Sequence, residues 1–215
     1  MEIKIVGFDL DGTLYENTPE IHQRVRKKIY EKLSALCQIP EDKARELFIA
    51  HYEKLSSGTR SIKEITEDYK IQIGNRDLVQ ESIEEADIIE LIDDNPALRQ
   101  MLERLSNKVN IDLVTGSKKS LSLKKLVKLG ISKHMFTYIL TSEDGSKTTG
   151  EKYLKWIRMR KLEPGQLLYV GDNKKQDVDM PRSLGIQTCI VGNYEKANYQ
   201  ISNILELENL LKKIN

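Results

Sequence analysis

The sequence is short of the features that mark several classes of protein. Its apolar runs are a handful of residues long, far below the roughly 20 needed to cross a bilayer. No basic stretch followed by a long apolar one opens the chain, so no secretory signal is expected. An excess of one charge is missing as well. The 34 Lys and Arg face 33 Asp and Glu, and a net of +1 gives no push toward nucleic acid or an anionic membrane. Cysteine is scarce: Cys37 and Cys189 lie far apart and without metal-type spacing. That pattern fits a reduced, cytoplasmic setting and no disulfide framework. Internal repeats and low-complexity tracts are absent too. What is there is a soluble globular composition, 39% hydrophobic and 31% charged over 215 residues. Such a length suits one large domain, or a domain with a modest insertion.

Two textures divide the chain. Residues 3–8 read as a short buried strand, whereas residues from about 19 to 89 are rich in Glu, Lys, Leu, Ile and Ala with helical periodicity. Thr18 and Pro19 form a helix-entry signal, and Ile21, Val25, Ile29 and Leu33 then recur every four residues as one buried face requires. A second helix is predicted over residues 41–57, ended by Gly58, with weaker helical segments over 62–69 and 78–89. From Asn95 and Pro96, a cap and first turn, strands alternate with helices. "VNIDLV", "YILTS", "LLYVG" and "QTCIVG" read as strands. "KKSLSLKKLVKLG", "EKYLKWIRMR", "QDVDMPRSLG" and "LELENLLKK" read as helices. The predicted architecture is α/β: a doubly wound, mostly parallel sheet built from residues 1–15 and 94–215. A smaller all-helical domain, residues 16–93, is inserted after the first strand.

Open parallel sheets bind ligands outside the carboxyl ends of their strands, at the switch in strand order. The unusual polar residues gather at those ends. The first strand runs into Asp9 and Asp11, the second into Thr115, Gly116 and Ser117, the third toward Lys147, and the fourth into Asp172 and Asp177. Asp9, Asp11 and Asp172 in one crevice would repel one another without a cation, and hard oxygen ligands suit Mg²⁺. A lysine and a Thr-Gly turn can offset and hold phosphoryl oxygens. One aspartate can then attack phosphorus while the other moves the proton.

Each residue also has a plainer reading. Asp9 and Asp11 could be an Asp-Gly turn, Thr115 a helix cap, Asp172 and Asp177 a cap and a first-turn acid, and Lys147 a solvated loop residue. Those readings leave the shared location at strand ends unexplained. His22, His51 and His134 stand apart from every motif and read as surface or packing residues, and Tyr153 and Trp156 on one helix face read as core. Tyr15, and Arg60 in the "SSGTR" loop, are candidates for the border of a substrate site.

In order along the chain, "FDLDGTLY", "LVTGS", Lys147 and "GDNKKQD" resemble the four motifs of the haloacid dehalogenase (HAD) superfamily. The helical insert resembles that superfamily's cap. The resemblance implies that Asp9 is the nucleophile and Asp11 the general acid/base, whose backbone carbonyl joins Asp9 and Asp172 in holding Mg²⁺. It implies phosphate binding by Thr115, Gly116 and Lys147, and support of the metal shell or the lysine by Asp177. Lys147 is preferred to Lys152 because it lies 24 residues before Gly171 and places Tyr153 in the motif's aromatic slot. The two prolines usual after that lysine are Thr148 and Gly150 here.

The implied activity is a Mg²⁺-dependent phosphatase acting on a small phosphorylated metabolite through an aspartyl-phosphate, with no nucleic acid polymer or membrane as partner. Closure of the cap is expected to exclude bulk water during the first step. Dehalogenases of this fold lack the second aspartate, so Asp11 points to phosphoryl transfer. "FDLDGTLYENTPEIHQRV" and "LGIQTCIV" resemble pyrimidine 5′-nucleotidase-like members. The small phosphorylated metabolite expected as substrate is of the class of a nucleoside monophosphate or a sugar phosphate. Two alternatives stand beside it. A mutase of the β-phosphoglucomutase type uses the same two aspartates, and a non-catalytic regulatory or scaffold protein would be marked by loss of Asp9 or Asp172. Neither is lost.

Overall fold

The computed structural model describes residues 2–55, 57–74 and 77–215. They form two compact units: Met1–Asn17 together with Ile92–Asn215, and Thr18–Leu91. No helix among the described residues is long and apolar enough to cross a membrane.

The second unit is helical. In it α1 (Pro19–Cys37), α2 (Glu41–Leu55), α3 (Gly58–Asp68) and α4 (Leu78–Glu85) enclose Ile29, Leu33, Ala44, Phe48, Ile62, Ile65 and Leu78. Thr18 caps α1, its hydroxyl accepting from Ile21 N at 3.3 Å, and Pro19 supplies a first-turn residue with no N–H to satisfy. Gly58 does not end α2. It opens α3, where Ser57 Oγ accepts from Arg60 N at 3.4 Å, so Arg60 sits in a first helical turn rather than a loop.

The first unit is a six-stranded sheet. Its strands are β1 (Ile5–Phe8), β2 (Asn110–Val114), β3 (Ile139–Leu140), β4 (Leu167–Gly171), β5 (Gln187–Val191) and β6 (Tyr199–Ile201). All pairs are parallel and the order is β3-β2-β1-β4-β5-β6. The chain steps outward from β1 to β3, then returns to β4 on the other side of β1. The order therefore reverses between β1 and β4. Both strands are buried along their whole length, and as expected of a sheet covered on both faces they are almost wholly apolar. The helices of this unit are α5 (Pro96–Ser106), α6 (Lys119–Lys128), α7 (Glu151–Arg160) and α8 (Met180–Ser183), with α9 (Leu207–Ile214) following β6. Tyr153 and Trp156 of α7 pack with Ile5, Leu167 and Tyr169 of the sheet, so both are core.

The helical segment expected over 78–89 is α-helical only as far as Glu85, and two elements of the sheet unit differ further from the sequence pattern. "QDVDMPRSLG" is not one α-helix: residues Lys174–Asp179 form a π-helical turn, and α8 starts only at Met180. Pro181 accounts for the break in the regular ladder, because it has no N–H to donate to it. The short edge strand β6 was not anticipated.

Candidate active site

Asp9 and Asp172 follow β1 and β4 directly, on either side of the reversal in strand order, where such sheets bind ligands. The strands are in register with Phe8 opposite Val170, and Asp9 N donates to Val170 O at 2.8 Å, so the two acidic residues leave the sheet side by side. Gly12 closes the turn after Asp11 at φ +78°. It must be glycine twice over, since that φ is left-handed and a Cβ there would run into the Asp172 carboxylate. Asp177, on the π-helical turn, completes a trio. One carboxylate oxygen from each of Asp9, Asp172 and Asp177 lies within 4.8 Å of the others.

Lys147 is buried among them. Its Nζ lies 2.6 Å from Asp177 Oδ1 and 3.0 Å from Asp9 Oδ1, and 5.3 Å above the centre of the Tyr169 ring. Burial works against the ammonium, yet Asp177 and Asp9 together hold its pKa well above the usual lysine value. Asp177 is itself fixed: Asn173 N donates to its Oδ2 at 2.9 Å, and Tyr153 OH donates to the Gln176 carbonyl beside it at 2.9 Å. Tyr153 thus meets both the core and the rim of the site.

The remaining electrostatics point to missing positive charge. Burial, opposed by Lys147 and reinforced by Asp177, Asp11 and Asp172, pushes the Asp9 carboxyl up to about 7. Burial and the neighbouring Asp177 push Asp172 up to about 6. The buried Asp9 Oδ1 is within ion-pair range of Lys147 but accepts no hydrogen bond. A buried carboxylate oxygen that accepts no hydrogen bond, beside a second carboxylate, is an all-oxygen donor set that fits a hard divalent cation. Asp9 and Asp172, with the Asp11 main-chain carbonyl, are the residues that would hold it. Among the described residues, no other three His, Cys, Asp or Glu side chains gather so closely.

Asp11 is differently placed. Its Oδ1 accepts from Tyr15 OH and from Lys125 Nζ, and its Oδ2 accepts from Ser117 Oγ at 2.7 Å. Burial alone would raise its pKa, but the Lys125 ammonium and the Ser117 and Tyr15 donors bring it below the ordinary value. Thr115 is fully buried at the end of β2, and Ser117 N donates to its hydroxyl at 3.1 Å. It does not cap α6, whose cap position is Lys118. Lys152 donates to the Thr115 carbonyl, and burial together with nearby Lys147 lowers its pKa to about 8. Gly116 faces open space, with nothing within 4 Å of where a Cβ would stand.

Asp9, Asp172, Asp177 and Lys147 therefore converge, with Asp11 alongside and its carboxylate engaged elsewhere. His22 and His134 are exposed, and His51 rests on the Leu47 carbonyl of α2 at 2.9 Å. Sequence reasoning missed Lys125. The available signal was its place on the inward stripe of α6, with Leu121 four residues before and Leu129 four after.

A family model of haloacid dehalogenase-like hydrolases matches residues 6–191. The chain belongs to that family. Among solved structures, this haloacid dehalogenase-like hydrolase is similar to a HAD phosphatase from Thermococcus onnurineus. Identity is 25%, 98% of each chain is covered, and the TM-score is 0.68. It is also similar to a haloacid dehalogenase-like family hydrolase from Streptococcus pneumoniae (22% identity, 97% of this chain and 98% of the other, TM-score 0.65). A 2-haloacid dehalogenase from Pseudomonas syringae matches with 21% identity, 98% and 99% coverage, and a TM-score of 0.59. One fold thus serves more than one chemistry, and the reaction has to be argued from side chains.

Proposed function

We propose that this haloacid dehalogenase-like hydrolase is a Mg²⁺-dependent phosphatase that cleaves a small phosphorylated metabolite through an aspartyl-phosphate on Asp9. A nucleoside monophosphate or a sugar phosphate is the class of substrate it would take. One observation carries the reading: carboxylate oxygens of Asp9 and Asp172 lie within 4.8 Å of each other, and Asp11 lies two residues on. Displacing a halide needs neither a second carboxylate nor a proton carrier, and transferring a phosphoryl group uses both. The likeness to the Thermococcus onnurineus phosphatase supports the same choice.

Asp9 is the nucleophile. Its oxygen attacks phosphorus in line with the leaving oxygen, that P–O bond breaks, and Asp9 carries the phosphoryl group until water displaces it. Lys147, Thr115 and the Gly116 backbone bind the non-bridging oxygens, where charge is held during transfer. Asp9, Asp172 and the Asp11 carbonyl would hold Mg²⁺, which would supply positive charge between the nucleophile and the phosphoryl group. Asp11 passes a proton to the leaving oxygen and takes one from the attacking water. The donors around it favour the carboxylate, which is the form the water step uses. Asp177 keeps Lys147 charged and in place.

The test is release of p-nitrophenol from p-nitrophenyl phosphate with and without Mg²⁺, beside Asp9→Asn. The expected result is turnover that needs the metal and is lost in Asp9→Asn. Turnover that survives neutralising Asp9, or none with any metal, would refute the reading; the latter favours a scaffold. A panel of nucleotides and sugar phosphates then assigns the substrate, and conversion of β-glucose 1-phosphate to glucose 6-phosphate would reassign the protein as a mutase.

A further inference from the structure

The side chain of Lys125 is 0% exposed, on the apolar stripe of α6 where leucine would continue the pattern. A buried ammonium is costly unless paired, and a pair of this kind is weak evidence of added stability. Something other than stability has to account for a lysine here. Its acceptors are Asp11 Oδ1 and, at 3.2 Å, Ser117 Oγ. The same Ser117 hydroxyl donates to Asp11 Oδ2 at 2.7 Å, and Tyr15 OH donates to Asp11 Oδ1. Lys125 Nζ also sits 5.7 Å from the centre of the Tyr15 ring. The three donors come from three places: the turn after β1, the loop after β2, and the body of α6. Asp11 has only two side-chain torsions, and gripping both its oxygens from three origins leaves one rotamer. Even so, 29% of its side chain remains open.

We infer that Lys125 is a positioning residue. It fixes the Asp11 carboxylate, through a shared contact with Ser117, in the orientation from which Asp11 exchanges protons with the leaving group and with water. The inference rests on the phosphatase reading, and it adds a residue of α6, outside the strand-end motifs, to the working site. Lys125 touches no reacting atom. Its effect travels through Asp11 alone.

The experiment compares wild type, Lys125→Met, Asp11→Asn and the double variant, with Mg²⁺ and p-nitrophenyl phosphate. p-Nitrophenolate departs without a proton, so Asp11→Asn keeps a measurable rate. Lys125→Met is expected to lower kcat about 10- to 100-fold, as misplacement of a reacting group by a fraction of its length does, with KM essentially unchanged. The double variant is expected to be no slower than Asp11→Asn, because Lys125 has nothing left to orient. Ser117→Ala, a small change on the same carboxylate, is expected to show the same KM-neutral loss and serves if Lys125→Met does not fold. An unchanged kcat in Lys125→Met, or a double variant that loses the product of the two single factors, overturns the inference. A wild type that releases no phosphate refutes the phosphatase reading itself and removes any catalytic part for Lys125. A working wild type with an unaffected Lys125→Met refutes only the positioning role.

Discussion

Three lysines are buried in the α/β unit, and each is charged against a different background. Lys147 has two carboxylates, Lys125 has one, and Lys152 has only a backbone carbonyl. Lys152 is therefore the one whose charge opposes folding. Its folded pKa is about 8, against 10.5 for the free side chain. Below pH 8 both states are protonated and the cost of the buried charge is complete. Between 8 and 10.5 the unfolded chain binds the extra proton, so stability rises with pH across that window. Urea unfolding at pH 7 to 10.5 is expected to show wild type gaining on Lys152→Met by roughly 3 kcal/mol, at about 1.4 kcal/mol per pKa unit. Parallel profiles would refute the buried charge. Gly171 gives a second single-residue prediction. A Cβ there would collide with the Asp177 carboxyl, so Gly171→Ala is expected to displace Asp177, loosen Lys147 and cut kcat at least about tenfold, since small displacements of positioned groups cost that much. Unchanged kcat would show that Asp177 tolerates the shift. At this scale Asp9, Asp11 and Asp172 are legible because a buried strand and a glycine turn fix their places in the sequence. Lys125 and Lys152 are illegible for the opposite reason: a lysine within a helix reads as solvated, and only the packed fold shows which face it is on.

Secondary-structure elements are tied to one another by a polar clamp that no motif announces. Asp112 of β2 accepts from Trp156 Nε1 at 2.6 Å, from Arg160 Nε at 2.7 Å and from Arg160 Nη2, all on α7, and from Tyr138 N at 2.8 Å. The Arg160 guanidinium stacks 4.5 Å over the Tyr138 ring. Asp112→Ala strands a nearly buried guanidinium and an indole N–H, and is expected to cost about 3–5 kcal/mol in urea unfolding. Replacing the pair together, Asp112→Leu with Arg160→Met, is expected to cost less than the single change, since no unpaired charge is left. A double variant as unstable as the single one would mean that the clamp's geometry, not its charge balance, is what matters. Elements with strong periodicity are legible: α7 is observed as Glu151–Arg160, the stretch its sequence pattern delimits. Those held by context are not. β6, with Tyr199, Gln200 and Ile201, is too short and too polar to declare itself and exists by pairing with β5. The π-helical turn before Pro181 follows from a backbone conflict that hydrophobic periodicity does not register.

Each of the two units has buried apolar side chains of its own: Trp156 and its neighbours pack on the sheet, and Leu33 and its neighbours fill the helical unit. A chain built in this way need not unfold in a single step. All the carboxylates of the proposed metal site belong to one unit, Met1–Asn17 with Ile92–Asn215. A cation that binds only the folded site adds stability by mass action, about 2.7 kcal/mol at a hundredfold excess over Kd. That gain belongs to the α/β unit. Hydrogen exchange with Mg²⁺ is expected to slow in peptides from β1, β2 and β4 and to stay unchanged in α1 to α4. Leu33→Ala empties a fully buried position of the helical core, and such changes cost about 2–5 kcal/mol. It is expected to speed exchange in α1 to α4 while leaving the magnesium effect on the sheet intact. Asp172→Asn should do the reverse, abolishing the magnesium effect with the helical unit untouched. Protection that rises evenly over both units, or that survives Asp172→Asn, would place the cation elsewhere and leave Asp9 without the charge that its attack on phosphorus requires.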